Sequence, residues 1–151
     1  MYTSGEFVHY QFDPADISGG DDRTLPKLFE PGAGMKRFAW PDDQGLRAGF
    51  TRILPGQAIS TFFWYKEIWY MIEGSARLDV VDKRNGKEQT IRLAPRGAVY
   101  YPEGVRITLT NDTDEDLLFL YCAVPASKRD ASWLGVMDEE DINDVKIREE
   151  F

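Results

Sequence analysis

Short runs in which apolar and polar residues alternate fill the middle of the chain, and turn-forming residues separate them. Ten of these runs are rich in β-branched and aromatic residues, the composition typical of strands. They are FVHYQF (7–12), MKRFAW (35–40), LRAGFTRIL (46–54), AISTFF (58–63), EIWYMIE (67–73), SARLDVVD (75–82), EQTIRL (88–93), AVYY (98–101), VRITLTN (105–111) and LLFLYCAV (117–124). The residues between them are mainly Gly, Pro, Asn and Asp, which favour turns. Many short strands at this spacing predict an all-β sandwich or barrel.

The two ends of the chain have a different pattern. Residues 1–34 are rich in proline, glycine and acidic side chains, and we expect them to form an arm or loop over the barrel. In the tail at 126–151, Asp138 and Glu139 precede Lys146 and Arg148, the charge order that a helix dipole favours. A length of 151 residues suits one domain with its own core. The sequence therefore predicts a single domain with its barrel at about 35–125 and a short C-terminal helix.

Charge and composition exclude several classes of partner. The net charge of -8, from 26 acidic and 18 basic residues, argues against binding to a phosphate backbone. The start of the chain lacks the basic and apolar regions of a signal peptide. The longest apolar run, at 117–124, is far shorter than the ~20 residues of a membrane helix. With one cysteine, Cys122, no intramolecular disulfide can form. We predict a soluble cytoplasmic protein with no nucleic-acid or membrane partner.

Two sets of turn residues resemble the motifs of the cupins, small β-barrels of jelly-roll topology. The first cupin motif ends with Glu, six residues and Gly, and Glu67 and Gly74 match that ending. The second motif runs from Gly to Pro-x-Gly, then His and Asn, and its framework is matched by Gly97, Pro102, Gly104 and Asn111. The Gly-to-Pro spacing is one residue shorter than usual. The resemblance covers about 46–124 and implies a jelly-roll barrel.

The histidines of both cupin motifs are missing. The positions of the first two hold Thr61 and Phe63, or Ser60 and Phe62 if the gap to the Glu is one residue longer. The position of the third holds Ile107. A divalent transition metal needs three or four N, O or S ligands in defined geometry, which one carboxylate does not supply. We therefore expect no metal and no cofactor.

One carboxylate lies within an unusually aromatic stretch, FFWYKEIWY at 62–70. Because side chains two apart share a strand face, Glu67, Trp69 and Met71 share one, which the resemblance places inside the barrel. We predict an aromatic-walled pocket around this carboxylate. Its predicted substrate-binding residues are Thr61, Phe63, Trp69, Met71 and Ile107.

Burial disfavours a charged carboxylate and raises its pKa, so Glu67 is predicted to act as a general acid or base. Tyr100, Tyr101 or Thr61 would donate a hydrogen bond to a developing oxyanion. In the competing interpretation Glu67 pairs with an arginine such as Arg52 or Arg106, and the rings are core packing.

Three functions remain open from the sequence. The first is a metal-independent isomerase, cyclase, epimerase or lyase acting on an apolar or aromatic carbonyl-bearing substrate, and the second is a non-catalytic small-molecule-binding module. The third is a metal-dependent lyase or oxygenase with atypical ligands from Glu67, Cys122 and His9. The aromatic strands FFWY (62–65) and VYY (99–101) predict a homodimer, because exposed apolar strands are commonly buried against a partner.

Overall fold

Strands in two antiparallel sheets make up most of the chain that the structure describes. The computed structural model describes residues 7–17, 34–39, 46–124 and 137–143. Within them the strands are β1 (Gly34–Ala39), β2 (Arg47–Ile53), β3 (Ala58–Phe63), β4 (Lys66–Glu73), β5 (Ala76–Asp82), β6 (Lys87–Leu93), β7 (Ala98–Tyr101), β8 (Val105–Thr110) and β9 (Leu117–Val124). A 3-10 turn spans Pro14–Asp16, and a short helix, α1, spans 139–143. No helix in these ranges is long and apolar enough to cross a membrane.

The strand order is that of a jelly roll. One sheet has the order β1-β2-β9-β4-β7 and the other the order β3-β8-β5-β6, with all pairs antiparallel. The chain crosses between the sheets after β2, β3, β4, β6, β7 and β8, so most hydrogen-bonded neighbours are distant in sequence. The predicted all-β fold is confirmed.

Nine of the ten predicted strands are confirmed, each with both ends within one residue of the prediction. The tenth, FVHYQF at 7–12, is wrong, since this stretch belongs to no strand. Its alternation gives it an apolar side, on which the Phe12 ring stacks 4.3 Å from that of Phe50 and Tyr10 lies 5.7 Å from Phe50. Alternation predicts a two-sided extended segment, but a strand also needs a backbone partner.

The core lies between the two sheets. Alternate residues of each strand point inward and bury apolar surface, the dominant favourable contribution to folding. The core side chains with at most 3% exposure include Ile53, Phe63, Trp69, Met71, Leu78, Tyr101, Ile107, Leu109, Leu117 and Phe119.

The C-terminal segment, residues 137–143, covers the outer face of the four-stranded sheet. Met137 packs against a small apolar cluster formed by Phe62 and Trp64, which are 0% and 6% exposed. The sequence assigned the strand FFWY to a partner subunit because its rings were expected to be exposed. That premise is wrong for these two rings, because they are buried within their own chain.

Polar contacts fasten the same segment to β8 and to the turn after β5. Arg106 Nε donates to Asp141 Oδ1 at 2.6 Å, and Arg106 Nη1 donates to Ser60 Oγ at 2.8 Å. Lys83 Nζ lies 2.6 Å from Asp138 Oδ2 and 3.4 Å from Asp141 Oδ2. Asp138 and Asp141 also accept each other's backbone N–H, which caps the start of α1. The predicted C-terminal helix is present at 139–143, and its later residues lie outside the described ranges.

Candidate functional site

Glu67 and Tyr101 lie directly opposite each other on the inner face of the five-stranded sheet. Glu67 is in β4 and Tyr101 in β7, and the two residues are cross-strand partners. Partners of this kind have Cβ atoms about 5 Å apart, close enough for their side chains to interact. Glu67 is 7% exposed and Tyr101 is 1% exposed. We refer to these two residues as the interior pair.

Trp69 holds the carboxylate of the interior pair. Its Nε1–H donates to Glu67 Oε2 at 2.6 Å, a buried contact between side chains two residues apart on one face of β4. Hydrogen bonds to a charged acceptor are shorter and stronger than neutral ones. The sequence predicted Trp69 as a substrate-binding wall, whereas the structure places its polar edge on Glu67.

Aromatic rings from both sheets pack around the interior pair. The Phe63 ring stacks on that of Tyr101 with centroids 4.6 Å apart and planes at 14°. The Trp69 ring stacks on that of Phe119 at 4.3 Å and meets Tyr101 edge-on at 4.7 Å and 74°. The predicted pocket walls Phe63 and Trp69 therefore contact the other rings of the core directly.

The hydroxyl of Tyr101 is buried and has no hydrogen-bond partner among the described residues. Burial, and after it the charge of Glu67, raises the pKa of Tyr101 well above its usual range. Both causes disfavour the phenolate, so the phenol stays protonated near neutral pH. The interior pair thus combines a carboxylate with a neutral hydrogen-bond donor.

The other predicted site residues divide between the inside and the outside of the fold. Thr61 and Ile107 are cross-strand partners in the four-stranded sheet and are 6% and 0% exposed, and Met71 is 0% exposed. Tyr100 pairs with Ile68 and is 56% exposed, so the structure does not bring it to Glu67.

The two arginines considered as partners of Glu67 lie elsewhere. Arg106 contacts Asp141 beneath the C-terminal segment, and Arg52 Nη1 donates to the carbonyl of Pro14 at 3.4 Å. Neither of these contacts is with Glu67.

Sequence reasoning missed four residues near the interior pair. The register puts Arg47, Ala123, Glu67 and Tyr101 in one row across β2, β9, β4 and β7, and puts Tyr121 beside Trp69. Phe119 stacks on Trp69. Alternation along β9 places Phe119, Tyr121 and Ala123 on one face, but their neighbours become known only from the pairing of β9 with β2 and β4.

The side chains at the cupin metal positions do not fit a divalent transition metal. Beside Glu67, the corresponding positions hold a hydroxyl on Thr61 and hydrocarbon side chains on Phe63 and Ile107. Such metals select imidazole, thiolate and carboxylate ligands. Within the described ranges, no group of three or more His, Cys, Asp or Glu side chains could hold a metal ion.

The atypical ligand set proposed from the sequence is not assembled. Cys122 pairs with Ile68, while Glu67 pairs with Ala123, so Cys122 and Glu67 point to opposite faces of their sheet. His9 is an exposed residue of the N-terminal arm. Burial, and after it the charge of Glu67, raises the pKa of the Cys122 thiol, which disfavours the thiolate form that binds metals.

Comparison with solved structures identifies the fold of this chain. A variant of oxalate decarboxylase from B. subtilis aligns with 83% of this chain and 32% of its own, with a TM-score of 0.59 and 22% identity. A cupin 2 conserved barrel domain protein from Salinispora arenicola aligns with 97% of this chain and 100% of its own, with a TM-score of 0.53 and 17% identity. The chain has the cupin fold.

The comparisons go no further than the fold. The chain also covers 64% of the EutQ protein from Clostridium difficile, at 20% identity and a TM-score of 0.48. No protein-family model matches the chain, and no curated protein matches it. Because the cupin fold, like other common folds, hosts unrelated functions, the function of this chain has to be argued from its own site.

Proposed function

We propose that this chain is a metal-independent enzyme of proton-transfer type, in which Glu67 acts as the base and Tyr101 as the hydrogen-bond donor. The reaction class is isomerisation, cyclisation, epimerisation or elimination on an apolar or aromatic substrate that carries a carbonyl group. We further propose that the protein works in the cytoplasm.

The buried hydroxyl of Tyr101, which has no hydrogen-bond partner among the residues that the structure describes, is the observation that carries this proposal. A buried polar group without a hydrogen bond costs about 1–3 kcal/mol, so such groups are rare in folded proteins. A carbonyl oxygen bound beside Tyr101 would accept this hydrogen bond and remove the cost. Tyr101 is the cross-strand partner of Glu67, so both side chains lie on the same face of the sheet, as a base and an oxyanion donor acting on one small molecule require.

The chemistry assigns one role to each residue. Glu67 removes a proton from the carbon next to the substrate carbonyl, and the electron pair of that C–H bond moves towards the carbonyl oxygen. Tyr101 donates its O–H to this oxygen as negative charge develops there. Glu67, now protonated, returns the proton to another position of the substrate or to the leaving group.

The first test is proton exchange in D2O, which needs no knowledge of the complete reaction. A panel of small aromatic ketones, enones and carbonyl acids is incubated with the protein, and loss of the C–H signals next to the carbonyl is followed by proton NMR. We expect Glu67→Gln to slow exchange by about 10²–10⁴-fold, the usual contribution of a general base. Tyr101→Phe is expected to slow exchange by about 10²-fold or more through loss of the oxyanion donor.

Tyr100→Phe is the matched control, because Tyr100 is the neighbouring residue on the outer face of the sheet. It should exchange as fast as the wild type. Tyr101→Phe should be at least as stable as the wild type, since it removes a buried hydroxyl that has no partner in the described part of the chain. Equal exchange rates for the wild type and Glu67→Gln would reject the proposed base.

The packing around the interior pair favours a second candidate, a non-catalytic binding module. Phe63, Trp69 and Tyr101 are at most 3% exposed, so a ligand reaches the interior pair only when the surrounding chain moves. In this case a panel member would raise the melting temperature of the wild type with no exchange of its C–H protons.

We also propose that a second copy of the chain covers the outer face of β4 and β7. Ile68, Tyr70 and Tyr100 are 50%, 43% and 56% exposed there. Exposed apolar patches of this kind commonly mark contact surfaces. Ile68→Lys is expected to convert a dimer into the 17.3 kDa monomer in sedimentation experiments. Gln89→Lys, on an exposed position of β6, is the charge-matched control, and a monomeric wild type would contradict this proposal.

A further inference from the structure

The side chain of Trp69 contacts both members of the interior pair. Its Nε1 lies 2.6 Å from Glu67 Oε2, and its ring meets the ring of Tyr101 with centroids 4.7 Å apart. Its other ring contacts are the stack on Phe119, with centroids at 4.3 Å and planes at 29°, and an edge-on contact with Phe63 at 6.3 Å and 75°. The side chain is 3% exposed, so packing on several sides determines where its N–H points.

The hydrogen bond from Trp69 favours the ionised form of Glu67. An indole N–H is a donor only, so it interacts more favourably with a carboxylate oxygen than with the hydroxyl of a carboxylic acid. Desolvation acts in the opposite direction, because burial favours the neutral acid. Other titratable groups on this face of the sheet include Tyr101, opposite Glu67 on β7, and Arg47, in the same row on β2, whose positive charge also favours the carboxylate. A base needs the charged form before the substrate binds, and a donor at 2.6 Å favours that form.

We infer that Trp69 is a positioning residue that keeps Glu67 ionised and holds its carboxylate in one orientation facing Tyr101. This inference rests on the proposed role of Glu67 as a base. It assigns Trp69 a role other than the substrate-binding wall that the sequence predicted. The role belongs to the N–H group, and the ring serves to fix the direction of that group.

The test separates the N–H from the ring. Trp69→Phe keeps an aromatic ring and removes the donor. Site-specific replacement of Trp69 with β-(3-benzothienyl)alanine keeps the size and shape of the indole and changes only the N–H to sulfur. If Trp69→Phe fails to fold, the benzothienylalanine protein still tests the effect of the indole N–H. The titration of Glu67 is followed by the shift of its 13C carboxyl signal with pH, assigned by the loss of that signal in Glu67→Gln.

We expect the titration midpoint of Glu67 to move to higher pH by about one unit in both proteins, the typical effect of losing one hydrogen bond to a charged group. Phe119→Leu, which removes the stacking partner but keeps the indole N–H, should move the midpoint less than either. An unchanged midpoint in the benzothienyl protein would overturn the inference. A midpoint moved as far by Phe119→Leu as by the benzothienyl protein would also overturn it, because general loosening of the core would then explain the change.

This titration is independent of catalysis. If Glu67→Gln leaves proton exchange in the substrate panel unchanged, the proposed function fails whatever the carboxyl titration shows. If Glu67→Gln abolishes exchange but the benzothienyl protein titrates like the wild type, the base stands and the role of Trp69 fails. If the roles of both Glu67 and Trp69 hold, the benzothienyl replacement should also move the midpoint of the pH profile of the exchange rate. It should move in the same direction as the titration midpoint of Glu67.

Discussion

Replacing Asp141 with asparagine is expected to lower the free energy of unfolding by about 3–5 kcal/mol, the usual cost of removing one member of a buried ion pair. Asp141 is 0% exposed, and the side chain of Arg106 is 10% exposed. The carboxylate also lies 3.4 Å from Lys83 Nζ. Asparagine keeps the shape of the side chain but removes the charge, so the buried guanidinium would face a neutral amide.

Urea unfolding of the wild type and Asp141→Asn measures this difference directly. Glu140→Gln is the matched control, because Glu140 contacts the same guanidinium at 3.2 Å but has a side chain that is 65% exposed. An exposed pair contributes only about 0–1 kcal/mol. Equal, small effects of the two substitutions would show that the C-terminal segment leaves the sheet easily and that water replaces Asp141.

Replacing Gly74 with alanine is expected to destabilise the protein by roughly 2–5 kcal/mol, from a strained backbone and a steric clash together. Gly74 has φ +85°, and a Cβ built there would lie 2.3 Å from the carbonyl oxygen of Asp116. That oxygen belongs to the backbone just before β9, so relief of the clash requires movement of the turn between β4 and β5 or of the entry to β9. Thermal and urea unfolding would both report the loss.

Gly86 is the natural control for Gly74. It has φ +75°, and no atom of the described residues lies within 4 Å of the Cβ that alanine would add. Gly86→Ala therefore measures the backbone strain by itself, at about 1–2 kcal/mol. If Gly74→Ala cost no more than Gly86→Ala, the close approach of Asp116 would contribute nothing to the requirement for glycine.

The framework residues that carried the resemblance could be predicted because their roles are local. Gly74 supplies a positive φ next to a neighbouring backbone. Asn111 is 0% exposed, and its side-chain amide donates to the carbonyls of Ile53 and Glu115 at 2.9 and 2.8 Å. Only a small amide can make these bonds across a tight turn, so such positions leave a readable pattern in the sequence. Alternation predicted nine strands for the same reason, since a two-residue period is local.

The contacts that the sequence did not reveal depend on which strands become neighbours. Tyr100 and Tyr101 are equivalent in the sequence, and only the pairing of β7 with β4 places Tyr101 at Glu67. Trp69 and Phe119 are 50 positions apart and meet only because β9 pairs with β4. Asp141 lies in the predicted C-terminal helix, and nothing in the local pattern indicates a buried arginine 35 positions earlier. Side-chain direction follows from local sequence, and side-chain partners follow from tertiary register.

The place of β9 in its sheet has a consequence for how the protein is made. This strand lies between β2 and β4 and is hydrogen-bonded to both, although it is the last strand along the described chain. During synthesis, β2 and β4 therefore leave the ribosome tens of residues before the strand that joins them. Until Val124 emerges, their inner faces, including the interior pair, stay exposed to water and to other nascent chains. Non-local pairing of this kind folds slowly, so this stage of synthesis is when aggregation competes most strongly with folding.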